Sequence, residues 1–373
     1  MRAKVLAPLF AAAAMVSVGS TATASVIGDL VANGSTVTPF IVSGAPPDSP
    51  ANRVDPNVAS SPFNGVVSIN IRYLNANGQQ LSFICSGTMI TSTDVLTAGH
   101  CVDTDGHGHV VDITKPGNDV RVVLNDQDPF TAATDLYTAS KVTMNPNYQG
   151  FGICPPSVNS FCLNDDISII HLSKPVPDSV TKYGISPYAP AEGSVFEMVG
   201  YGTSGDGING YTVSPSFFIK RDGANVWDLS DTDDEANFSA SSPMEVWYYD
   251  FDGTKDGVNR DTFCELGLVC SAQLANDVET HLGGGDSGGP SFIKDANGNY
   301  ILVANNTFGG SFCPDGLPGW KGSCVDGNFG DYGGGILLYS YFEWIRSTVP
   351  EPGSLALAGL ALLAVGGARR RRR

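Results

Sequence analysis

The chain has 373 residues and a formal net charge of −17 at pH 7, with 21 Lys and Arg against 38 Asp and Glu. So acidic a balance argues against nucleic-acid binding, which depends on basic surface facing phosphate. Its 44 glycines and 23 prolines interrupt long helical periodicity and favour many short strands joined by turns.

In chain order, Arg2 and Lys4, an apolar stretch from Val5 to Val18 and the small residues Ala22-Thr23-Ala24 make up a secretory signal peptide over residues 1–24. Residues 25–53 are polar and rich in turn formers, which reads as a propeptide or linker. From Val66 to Tyr73 apolar and polar residues alternate. Asn75-Ala76-Asn77-Gly78 supplies a turn, and Gln80 to Ile84 returns the chain to Cys85. Met89 to Leu96 then leads to Thr97-Ala98-Gly99-His100-Cys101. The following Asp103–His109 stretch holds acids and two histidines. A solvated loop is the expectation there, because metal ligation needs convergent geometry that spacing does not establish.

Asn164-Asp165-Asp166-Ile167 places two acids at the head of an apolar run, in which His171 reads as a core or strand-edge residue. Prolines 175, 177, 187 and 190 mark a crossover. The stretch to Asp261 is strongly acidic, with Asp231-Thr232-Asp233-Asp234-Glu235 and Asp250-Phe251-Asp252-Gly253, while Tyr248, Tyr249 and Phe251 read as core. Those oxygens suit calcium, but a solvated insertion is the expectation. No metal and no cofactor are assigned.

Gly283-Gly284-Gly285-Asp286-Ser287-Gly288-Gly289-Pro290 reads as a tight, backbone-exposed turn. Glycines flanking a serine let its hydroxyl stand clear and let neighbouring N–H groups converge on one point, where an oxyanion can be held. The chain thus presents a histidine, an acid and a serine in that order. The three strings closely resemble those of the trypsin/chymotrypsin family of serine endopeptidases, over roughly Arg53 to Thr348.

The resemblance implies an all-β fold of two antiparallel Greek-key β-barrels closed by a short C-terminal helix near Tyr341–Ile345, here residues 54–348. It implies His100 as base and Ser287 as nucleophile. It selects Asp166, the acid directly before an aliphatic residue, to orient the histidine. The Gly285 and Ser287 amides would form the oxyanion hole. Thr307-Phe308-Gly309 would pair with substrate backbone, with His281 at the specificity pocket. That position is an Asp in the trypsin branch, so an Arg/Lys preference is not implied, and Gly283 stands where the family has a cysteine. As in a zymogen, a new aliphatic N-terminus would meet Asp286. Ile41 and Val54 compete for that role, and Val54 is favoured because Arg53 precedes it. The eight cysteines suit an oxidising compartment. The family implies Cys85–Cys101, and short spacings suggest Cys154–Cys162, Cys264–Cys270 and Cys313–Cys324.

Val349-Pro350-Glu351-Pro352, an apolar run from Ser354 to Ala368 and five arginines end the chain. As a helix the run would span about 22 Å, short of a roughly 30 Å bilayer core. This triplet resembles the PEP-CTERM sorting signal, here residues 349–373, which implies recognition and removal by an exosortase. A transmembrane helix in the tail would be the chain's sole membrane contact, before processing. The expected protein is a monomer acting on proteins or peptides, secreted or held at the surface or matrix of a Gram-negative bacterium. A non-catalytic matrix-binding protein on the same fold is the alternative.

Overall fold

A computed structural model describes residues 25–32, 35–38, 41–311 and 326–349. The signal peptide, the Cys313–Cys324 pair and the PEP-CTERM tail therefore lie outside the described residues.

Six antiparallel strands close a barrel in the order Val66–Leu74, Gln80–Met89, Asp94–Thr97, Ser168–Leu172, Leu136–Met144 and Asp119–Val123. The alternation read from the sequence explains its first strand. Val67, Ile69 and Ile71 point into the barrel core with Val95, Val122 and Ile170. Val66, one position out of phase, faces a different core, as a side-chain period of two requires. The turn after this strand is built as expected: the Gly78 N–H donates to the Asn75 carbonyl at 2.9 Å, and Asn75 Oδ1 accepts the amides of Asn77 and Gln79.

The second half is a nine-stranded antiparallel sheet. Its order is Leu229–Thr232, Met244–Asp250, Tyr332–Leu337, Tyr300–Ser311, Pro290–Lys294, Val195–Gly200, Lys220–Val226 and Val54–Asp55, and strand Thr36–Thr38 also pairs with Tyr300–Ser311. Helix Phe342–Thr348 closes the fold and buries Ile345. Leu96, Ile167 and Ile169 of the barrel pack with Val199, Tyr201, Phe292 and Phe308 of the sheet in one shared core. The junction between the halves is rigidly packed, and both catalytic candidates from the barrel lie at it.

Residues 25–53, expected as propeptide or linker, are ordered where described. Helix Val26–Ala32 buries Ile27 and Leu30 in the shared core, and the Val26 N–H donates to Asp231 Oδ1 at 2.7 Å. From Ile41 to Asp55 the chain is part of the second half: Ile41 is 1% exposed and packs with Phe196, Trp227 and Trp247, and Val54–Asp55 pairs with the sheet. Among the described residues, no helix is long and apolar enough to cross a membrane. A transmembrane helix thus has no support here.

Candidate active site

Asp94–Thr97 and Ser168–Leu172 are barrel neighbours, with Thr97 opposite Ser168. That register brings His100, just past one strand, to Asp166, just before the other. Asp166 Oδ2 lies 2.6 Å from His100 Nδ1, and Oδ1 accepts the His100 backbone N–H at 2.7 Å. The carboxylate side chain is 1% exposed and the imidazole 12%. One buried acid thus grips both the backbone and the ring, fixing the proton on Nδ1 and leaving Nε2 as the acceptor. Phe151 packs its ring edge-on to the imidazole at 5.5 Å between centroids, a contact that no local sequence signal announces.

Asp165, the adjacent acid, does not share this role. It sits in the left-handed region at φ 63°, and its carboxylate groups with Asp234, Glu235 and Glu245. Burial, followed by repulsion from Glu245 and its acidic neighbours, pushes it up to about 9.

His100 and Ser287 line the same cavity of about 250 Å³, together with Gly285, the Cys85–Cys101 pair, Phe83 and Ile84. Gly285 adopts φ 107°, a conformation closed to most side chains. Among the described residues, the amides of Gly285 and Ser287 have no hydrogen-bond partner, so two donors are left on the loop that carries the hydroxyl. Ser86 anchors that loop from the barrel. Its hydroxyl donates to the Gly285 carbonyl at 2.9 Å and its N–H to the Ser287 carbonyl at 2.8 Å. Gly283 could not be the family's cysteine in this conformation, because a Cβ there would fall 1.9 Å from the Thr203 carbonyl oxygen.

Three disulfides brace the surroundings: Cys85–Cys101 beside His100, Cys154–Cys162 and Cys264–Cys270. The Asp103–His109 loop is held by its own side chains, with His109 Nδ1 2.7 Å from Asp105 Oδ2 and both exposed. His171 is tied to Asp94 at 2.7 Å and Thr143 at 3.1 Å within the barrel wall.

The structure corrects the expectation for the activation-linked N-terminus. Asp286 is fully buried, and its Oδ2 accepts the backbone N–H of Ile41, not Val54. Gly202 and Gly283 amides complete its shell at 2.7 Å each. Burial raises the Asp286 carboxyl to about 7 against those hydrogen bonds. Val54 is instead 42% exposed and paired with Arg221 on the far edge of the sheet. Arg53, the basic residue that favoured it, is not a free cleavage determinant. Its guanidinium binds Asp48 at 2.7 Å and donates to the Val278 and Glu279 carbonyls, with 5% and 2% of the paired side chains exposed. Arg53→Ala would strand a buried carboxylate and these two carbonyl acceptors, costing about 3–5 kcal/mol. Urea unfolding checks this, and a loss below 1 kcal/mol would contradict the buried pairing.

His281 also departs from expectation. It is 1% exposed and does not line the cavity. Its ring stacks on Phe251 and Tyr211 and its Nδ1 lies 3.2 Å from the Tyr249 hydroxyl. Burial lowers its pKa to about 3, so it is a neutral residue packed in the interior. Thr307 and Phe308 are buried as well. Gly309 does lie on a strand edge, and that edge carries the chain's own N-terminal strand: Thr38 pairs with Gly309, Val37 with Gly310 and Thr36 with Ser311.

Residues 54–215 match the family model described as Trypsin, and residues 348–373 the PEP-CTERM protein-sorting motif. The chain is 26% identical over 239 residues to a "Trypsin-like protease" of Streptomyces glaucescens, covering 64% of this chain and 70% of that protein. It is 24% identical over 233 residues to "Snake venom serine protease BthaTL" of Bothrops alternatus, covering 62% and 76%. Against "Thrombin-like enzyme contortrixobin" of Agkistrodon contortrix contortrix it is 29% identical over 135 residues, 36% of this chain and 47% of the relative. It therefore spans about half the length of that thrombin-like enzyme. Taken with the β architecture, these matches show that residues 54–215 are similar to the trypsin family, that these relatives are trypsin-like serine proteases, and that a PEP-CTERM protein-sorting motif occupies residues 348–373.

Proposed function

We propose that the protein is an exported serine endopeptidase working through His100, Asp166 and Ser287. The observation that carries this reading is the buried Asp166 gripping His100 Nδ1 at 2.6 Å beside a cavity that Ser287 shares. His100 Nε2 takes the Ser287 proton as the hydroxyl oxygen attacks a peptide carbonyl, and Asp166 stabilises the imidazolium. The free amides of Gly285 and Ser287 receive the oxyanion. His100 then protonates the leaving amine, and water releases the acyl group by the reverse sequence. Substrate backbone extends along the Gly309–Ser311 edge as an added strand. Export and surface sorting follow from the signal peptide and the exosortase motif, in a Gram-negative cell envelope.

In this reading the mature chain begins at Ile41. A cut after Phe40 turns the Ile41 amide into an ammonium beside Asp286, which offsets the burial of that carboxylate and fixes the Gly285 loop. The same cut detaches strand Thr36–Thr38 from the edge that substrate needs, and a tethered strand competes at roughly millimolar effective concentration. A chain starting at Ile41 should therefore react with a fluorophosphonate probe at Ser287 and cleave an amide peptide library about tenfold faster, or more, than one starting at Ser25. Probe labelling absent from both chains would overturn the enzyme reading. Equal rates would overturn the activation site alone.

A further inference from the structure

The acidic insertion was expected to be a solvated surface, yet it folds back on the segment that carries the catalytic acid. Asp165, Asp234, Glu235 and Glu245 each offer one oxygen, and these oxygens all lie within 4.8 Å of one another. Asp165, Asp234 and Glu245 are buried, while Glu235 is exposed and opens the group to solvent. None of the four takes part in an ion pair among the described residues. Nearby donors satisfy part of Glu245 only: Asn164 Nδ2 reaches its Oε2 at 2.8 Å, and the Tyr341 hydroxyl, which accepts the Asp165 N–H at 2.9 Å, also hydrogen-bonds it.

A second observation points to a ligand. Asp234 is 2% exposed, and its Oδ1 is buried without a hydrogen-bond partner. A carboxylate removed from water in this way, among three others and with no cation in contact, lacks the compensation that buried charge requires. The donors are all hard oxygens, with no imidazole or thiolate, which excludes the usual zinc set. Calcium binds oxygen at about 2.3–2.6 Å, so ligands on opposite sides of it are about 4.6–5.2 Å apart. Magnesium at about 2.0–2.1 Å would draw them to about 4.1 Å and prefers to keep several waters.

We infer that Asp165, Asp234, Glu235 and Glu245 form a calcium site joining the acidic insertion to the base of the catalytic acid. Asp165 directly precedes Asp166, and the Asp165 carbonyl accepts the Ile167 N–H at 2.6 Å. An ion held by Asp165 therefore pins the backbone from which Asp166 reaches His100, making Asp165 a positioning residue. A smaller group, Asp250, Asp252 and Asp261, lies elsewhere in the insertion. Two of its members already take backbone amides, Phe263 to Asp250 and Cys264 to Asp261. For that reason the test rests on site-specific variants.

The test is thermal unfolding of the chain carrying Ser287→Ala, which prevents self-cleavage, in EDTA, calcium or magnesium. At about a thousandfold excess over Kd, calcium should raise Tm by roughly 10 °C, with magnesium giving a small fraction of that. Asp234→Asn with Glu245→Gln should melt higher than its parent in EDTA, because repulsion is removed, and should lose the calcium shift. Glu235→Gln, at an exposed position, keeps the fold and should weaken calcium binding about tenfold or more by calorimetry. With Ser287 intact, EDTA should lower kcat at little change in KM, and calcium should restore it. A parent without a calcium shift, a shift that survives in the double variant, or an equal shift with magnesium would each overturn the assignment.

Discussion

Ser287→Ala should abolish amide hydrolysis, lowering kcat by about 10⁶ and leaving only what the oxyanion donors and substrate binding supply. The change removes the attacking oxygen and little else. The loop is held through backbone atoms, with the Ser86 N–H on the Ser287 carbonyl and the Gly288 N–H on the Asn306 carbonyl at 2.7 Å, so its shape does not depend on the hydroxyl. Stability should therefore stay within about 0.5 kcal/mol of the parent, and peptide binding should persist. Stopped assays on purified protein, with Tm measured in parallel, separate loss of chemistry from loss of fold. Turnover within tenfold of the parent would mean that another group attacks and that the His100–Ser287 reading fails.

Asp166→Asn should cost about 10⁴ in kcat with little change in KM. Asp166 now accepts two hydrogens from His100, one from the backbone N–H and one from Nδ1. An amide has one oxygen to accept with. If that oxygen keeps the backbone N–H, the amide NH₂ faces Nδ1 and donates to it, which moves the ring proton to Nε2. The imidazole then meets Ser287 as a donor and cannot take its proton. Steady-state kinetics across pH decides this. A loss below tenfold would show that the carboxylate does not set the tautomer.

That His100, Asp166 and Ser287 come together was legible because short strings with few other uses carry them: Thr97 to Cys101, Gly283 to Pro290, and the acid before the aliphatic run at Ile167. The barrel strands were legible for the same local reason: a period of two in Val66–Leu74 reports a strand with two faces. The errors arose where sequence proximity stood in for space. Arg53 looked like a cleavage determinant because basic residues are usually exposed, whereas here Asp48 and two carbonyls bury it. His281 looked like a pocket residue from its distance to Ser287, but Tyr211, Tyr249 and Phe251 enclose it.

By itself, the sequence determined the class of fold, the resemblance to trypsin-like proteases and the sorting motif, since each is written in a local pattern of charge, size and periodicity. Tertiary structure alone decided which N-terminal residue reaches Asp286, that Thr36–Thr38 lies on the Gly309 edge, and that Asp165 meets Asp234 and Glu245 across the fold. Each of these is a contact between segments far apart in the chain. Its energy comes from burial and pairing, which are properties of the assembled core, and no window of neighbouring residues contains them.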